Sequence, residues 1–127
     1  MTLDLDSTKQ EIELLNSKSK FDLLWENPNP TSVFSTQTIT IDNIENYNVI
    51  FIEAKYYMAD QLTSITTMMA TKTNSGCNLI INDSAKDAGG RRVYISEPSV
   101  ITFENTQWGS TVYNDYIVPI RIYGIIF

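Results

Sequence analysis

The stretch FENTQWGSTVYNDY, residues 103–116, gathers the richest set of side chains able to hold a ligand. Asn105, Gln107, Asn114 and Asp115 supply amides and a carboxylate, and Trp108 and Tyr113 supply flat aromatic faces. That combination suits a sugar, whose C–H face packs on an aromatic ring while its hydroxyls need donors and acceptors. The competing reading puts Trp108 in a core or at an interface, the commoner place for a lone Trp in a small domain. Arg91 and Arg92 stand side by side. They could grip an anionic glycan such as teichoic or sialic acid by charge-assisted pairing, or they could line a solvated turn.

Catalytic chemistry finds less support. The chain has no histidine, which removes Ser-His-Asp and Cys-His nucleophile systems and histidine-held metals. Cys77, the single cysteine, can form no internal disulfide, and within CNLII it reads as a small buried hydrophobe. Two carboxylates can in principle cleave a glycan, yet no acidic pair stands out from turn and surface use. Asp83 and Asp87 in NDSAKD lack the Asp-x-Asp-x-Asp-Gly spacing of a calcium loop and read as a turn. The expectation is a protein that is not an enzyme, with no catalytic residues, no metal and no cofactor.

Composition bounds the partners. A chain of 127 residues is about one domain, and 43% hydrophobic against 19% charged residues describes an ordered globular protein. Fifteen acidic residues against nine basic ones give a surface that repels phosphate, so nucleic acid is not an expected partner. No apolar run reaches the length of a membrane-spanning helix, and the first residues carry no secretion signal. Neither membrane insertion nor self-announced export is expected.

The elements that must position these residues divide at about residue 24. Residues 1–24 read as a helical segment, capped by Ser7 with Gln10 or Thr8 with Glu11. Ile12 and Leu15, with Leu14, Phe21 and Leu24, give it an apolar stripe. Two readings stay open: a helix packed on its own domain, or the end of a trimeric stalk. Asn27-Pro28-Asn29-Pro30 then stops it, because proline disfavours the helical conformation at the residue before it.

Residues 25–127 read as a β-domain. In NVIFIEAKYYM the apolar residues Ile50, Ile52, Ala54, Tyr56 and Met58 alternate with a set that includes Glu53 and Lys55, the period of a strand with one buried face. STQTITI, SITTMMATKT, CNLIIN, RRVYIS, SVITFEN and QWGSTVY read as further strands, and Asp87-Ala88-Gly89-Gly90 reads as a turn. The sum is a mainly β fold, an antiparallel β-sandwich of jelly-roll type preceded by one short N-terminal helix.

The final segment, YIVPIRIYGIIF, is apolar on both faces apart from Arg121. Pro119 lacks an N–H and favours an edge position or a bulge. Such a strand needs cover on two sides, either from within the domain or from other subunits. Ile117, Tyr123, Ile125 and Phe127, with Ile12 and Leu15, are therefore the candidate oligomer-interface residues.

Three segments carry a resemblance. LLWENPNPTSVFSTQTITI, NVIFIEAKYY and YIVPIRIYGI are similar to the small C-terminal β-domain of tail-associated minor structural and receptor-binding proteins of phages and prophages of Gram-positive and gut bacteria. The shared pattern is Leu-Leu-Trp-(Thr/Glu)-Asn-x-x-Pro at the start and Pro-x-x-Ile-Tyr-Gly-Ile at the end, over about residues 23 to 127. The chain departs from it by running past the usual Gly-Ile-Lys-like end to GIIF, with little stalk ahead. The resemblance implies a virion tail protein made in the bacterial cytoplasm. Its partners would be a host-surface glycan or protein, other tail proteins and two further copies of itself in a homotrimer.

Overall fold

Alternating burial sets the architecture, which we describe from a computed structural model covering residues 20–59, 63–83 and 87–127. Among these residues the strands are β1 (Lys20–Glu26), β2 (Gln37–Thr40), β3 (Val49–Tyr57), β4 (Ser64–Ala70), β5 (Gly76–Asp83), β6 (Asp87–Glu97), β7 (Val100–Trp108), β8 (Thr111–Val112) and β9 (Tyr116–Ile126). They form two antiparallel sheets, ordered β1-β9-β3-β4 and β2-β7-β6-β5, with β8 pairing β7 off that path. A 3-10 turn, Ile44–Asn46, is the helical element among the described residues. Ile50, Ile52 and Ile122 of the first sheet meet Leu79, Val93, Ile95, Ile101 and Phe103 of the second in one core. The protein is thus mainly β, two antiparallel sheets packed as a sandwich, and each segment read as a strand after Val33 contributes to one.

The N-terminal expectation needs correction where it can be compared. Phe21 and Leu24, assigned to a helical stripe, lie on β1, which also runs across the expected boundary at residue 24. A register shift between Leu23 and Trp25 explains the misreading. The bulge breaks the strand's alternation, so apolar residues fall at 21, 23, 24 and 25 and mimic helical spacing. Ser7, Thr8, Gln10, Glu11, Ile12, Leu14 and Leu15 lie outside the described residues.

The glycine turn is also corrected. Asp87-Ala88-Gly89-Gly90 is strand, with Gly89 opposite Ile81 and Gly90 opposite Ile80. Gly89 serves packing: a Cβ there would collide with the indole ring of Trp108. A glycine within a strand often marks such a close approach.

The last strand lies in the middle of its sheet, not at an edge. β9 pairs with β1 on one side and β3 on the other. Pro119 is accommodated by a bulge, where the β3–β9 register skips a residue between Glu53↔Arg121 and Ala54↔Pro119. Asn27 closes the irregularity, its backbone N–H donating to the Ile120 carbonyl and its side-chain amide to the Pro119 carbonyl, both at 2.8 Å. On the inner face Gly124 leaves room for the Tyr47 ring. A Cβ on Gly124 would lie 2.6 Å from Tyr47 Cδ1 and 2.8 Å from Leu24 Cδ1.

Two predictions follow from this corner. Gly124→Val forces the ring and the leucine apart and should cost about 1–3 kcal/mol of stability in urea unfolding; an unchanged midpoint would contradict the packing. The Tyr47 hydroxyl donates to Asp22 Oδ2 at 2.8 Å. That bond, with burial and the Asp22 charge, holds the phenol above its usual range. A raised folded-state pKa means the stabilisation is complete below about pH 10 and is lost as pH rises through the higher folded value. Tyr47→Phe should therefore flatten part of the alkaline fall in stability, measured as unfolding midpoints at increasing pH.

Candidate functional site

The residues singled out between 91 and 115 do come together, but largely as internal structure. Arg91, on β6, is fully buried. Its guanidinium donates from Nε to the Ile117 carbonyl at 2.8 Å, from Nη1 to the Glu104 carbonyl at 2.7 Å and from Nη2 to the Phe34 carbonyl at 2.8 Å. The Phe34 ring lies 5.1 Å from its charge centre. Burial lowers its pKa to about 10, which leaves it a cation at neutral pH. Arg91 therefore does not meet a glycan at the surface; it ties β6 to β7, β9 and the segment before β2. Arg92 does face solvent, over the Tyr94 ring at 5.0 Å and 4.0 Å from Glu104.

The asparagines extend the same network. Asn114 Oδ1 accepts from the Thr106 backbone N–H at 3.0 Å, and its Nδ2 donates to Asn105 Oδ1 at 2.8 Å. Asn105 Oδ1 also accepts from the Thr36 backbone N–H at 3.0 Å. These side chains fill the interval along β7 between its pairing with β2 and its pairing with β8. Trp108 is buried, edge-on to Tyr113 at 5.2 Å and to Tyr116 at 5.1 Å. Gln107 is exposed, and Tyr113 and Asp115 are half-buried. The aromatic platform expected at Trp108 is part of the core, and the polar groups around it largely bind one another.

The expected interface residues separate cleanly. Ile117 is core, fully buried and held at φ 52. A left-handed backbone is strained for a β-branched residue, by roughly 1–2 kcal/mol, and here it presents the carbonyl that Arg91 binds. Ile117 is thus no interface residue. Tyr123 and Ile125 lie on the outer face of the first sheet, and Phe127 is 76% exposed.

Register shows what surrounds them. Leu23, Tyr123, Phe51 and Met68 form one row across all four strands. Phe21, Ile125, Val49 and Ala70 form the next. Phe21 stacks on Tyr123 at 4.7 Å, and Phe51 lies 6.2 Å from Tyr123. Phe21, Leu23 and Met68 are each more than half exposed, at 60%, 53% and 58%. The third row is ionic: Arg121 reaches Glu53 at 2.7 Å and Glu26 at 3.3 Å. An apolar field bounded by an ion-paired row is the composition of a contact surface rather than of a solvated face. The sequence signal was present as the odd face of β9; the partners on β1 and β3 were visible only once the strand order was known.

Two grooves are notable among the described residues. One of about 400 Å³ lies at the ionic end, lined by Pro30, Lys55, Ser64 and Arg121 with Glu53. The other, about 460 Å³, lies between the end of β1 and strand β2, lined by Trp25, Asn29, Gln37, Thr38 and Thr40 among others. Among the described residues no group of three or more His, Cys, Asp or Glu gathers to hold a metal, and no helix is long and apolar enough to cross a membrane. Cys77 is half-buried, and burial raises its thiol above the ordinary range, away from a thiolate nucleophile.

No family model, no curated protein and no solved structure matches the chain.

The two adjacent arginines give a direct check of the network. Arg91→Met leaves three carbonyls, two of them in buried bonds, without their donors and should cost about 3 kcal/mol or more. Arg92→Met, at the surface, should change stability by less than about 0.5 kcal/mol. Equal effects in thermal unfolding would contradict the assignment.

Proposed function

We propose that this chain is a non-catalytic attachment and assembly module of a phage or prophage tail. It is a jelly-roll-like sandwich that works as a homotrimer on the virion, beside other tail proteins, and binds a glycan or protein of the host surface. The observation that carries the assembly part is the outer face of the first sheet, with two apolar rows spanning four strands. Such a face on a free monomer invites aggregation, so copies of the chain are its natural cover. The ion-paired row at its end would set the register between copies, since misplaced charges resist burial. The tail assignment and the threefold count rest on the resemblance of LLWENPNP and PIRIYGI. The non-catalytic reading is supported by the engagement of Glu26 and Glu53 with Arg121, which leaves neither carboxylate on its own. Trimerisation would also raise weak single-site affinity for a host surface, because one bound site increases the effective concentration of the others.

The mass of the full chain in solution, by light scattering, tests this. The expected result is a trimer that Leu23→Glu together with Met68→Lys converts to monomer, with little loss of thermal stability because both side chains are exposed. A full chain that is monomeric at every concentration would overturn the assembly reading.

A further inference from the structure

The groove beside β2 shares no lining residue with the two apolar rows of the proposed assembly face, and its lining has a distinct chemistry. Among the described residues no Asp, Glu, Lys or Arg lines it, in a chain of net charge −6. Trp25 is half-buried and braced from within, 6.2 Å from Phe34 at an interplanar angle of 74° and 6.2 Å from Phe103. Its ring is therefore held in place before any ligand arrives. The loop that follows is pinned as well: Asn27 donates to the Pro119 carbonyl and accepts from the Asn29 N–H, each at 2.8 Å. Across the groove, Gln37, Thr38 and Thr40 are exposed. β2 is the end strand of its sheet, so alternate backbone groups on its free edge are open to a ligand.

A preset indole face, uncharged amides and hydroxyls, and an open strand edge together complement a molecule that is apolar on one side and rich in hydroxyls on the other. We infer that this groove is a subsite for a neutral saccharide, with a sugar ring on Trp25 and its hydroxyls on Asn29, Gln37 and Thr38. An anionic glycan would find no counter-charge here. An added peptide strand would find a ladder only four residues long on β2, and facing it a loop whose Pro28 and Pro30 lack N–H groups. The groove's biological use as a host-attachment site rests on the function proposed above; its chemistry does not.

The test is a titration of the full-length, ¹⁵N-labelled chain with lactose, maltotriose and di-N-acetylchitobiose, read by NMR. One of these should shift the Trp25 indole N–H and the amides of Gln37–Thr40, with a Kd in the millimolar range typical of one shallow site, about 1–10 mM. Trp25→Ala should abolish the effect. Because Trp25 also packs on Phe34, the exposed pair Gln37→Ala with Thr38→Ala is the second variant, expected to weaken binding about fivefold or more at unchanged unfolding midpoint. Silence of the groove toward all three sugars at about 20 mM, shifts confined to another surface, or binding unaffected by the Gln37 and Thr38 changes would each overturn the inference. Light scattering on the same samples separates the two claims. A silent groove in an intact trimer sinks the subsite alone, and an active groove in a monomer sinks the assembly alone.

Discussion

A single buried cation organises one half of this molecule. Arg91 spends its guanidinium on the carbonyls of Ile117, Glu104 and Phe34, which belong to β9, to β7 and to the segment ahead of β2. No main-chain ladder joins β9 to the sheet that holds β7 and β2, and a planar fork of fixed geometry can bridge the two where a flexible ammonium could not. The arrangement has costs. The charge is taken out of water without a carboxylate partner among the described residues, and Ile117 is held in a left-handed conformation. Carbonyl dipoles and the Phe34 ring offset the first cost, and the full burial of Ile117 offsets the second. Asn114 then accepts the Thr106 N–H of β7, Asn105 accepts the Thr36 N–H ahead of β2, and the two side-chain amides bond each other. Much of the polar richness of residues 103–116, Asn105, Thr106 and Asn114 above all, is consumed in holding the sandwich together.

That consumption redirects the search for function toward the first sheet. Its central strand, β9, meets the core through Ile122 and Gly124 and meets solvent through Tyr123 and Ile125. The register of β1 and β3 places Leu23, Phe21, Phe51 and Val49 alongside those two residues. Burying apolar surface is worth roughly 25 cal/mol per Å². Two rows of such side chains thus represent several kcal/mol that a monomer forgoes and an assembly recovers. In the proposed assembly the neighbouring ionic row would add direction, because Arg121 is already paired with Glu26 and Glu53 and that end of the face would be unfavourable to bury out of register.

The sequence reveals much of the fold and less of the sites. Period-two alternation in NVIFIEAKYYM fixes which face of β3 is buried, and the same logic places Leu79 and Ile81 of β5 inward. β1 escapes because a bulge destroys its alternation, and the helical spacing it leaves behind belongs to no helix. Gly89-Gly90 misleads for a different reason: the glycine is required by Trp108, which approaches from a distant part of the chain, and no local pattern announces it. Arg91 and Arg92 are identical in type and adjacent, yet alternation buries one and exposes the other. The apolar character of the β9 outer face was legible, whereas its extension over four strands depends on long-range pairing. Trp25 was legible only as part of a motif, since its groove exists only once β1 and β2 stand at neighbouring edges of opposite sheets.

In the proposed assembly the interior polar network holds the sandwich together and the outer sheet face would join copies of the chain. Radical footprinting of Phe21, Phe51 and Tyr123 over a roughly hundredfold dilution series tests that claim most directly. Protection at high concentration that disappears on dilution is the predicted result, because cover supplied by other copies obeys mass action. Labelling that is the same at every concentration, whether heavy or absent, would contradict it.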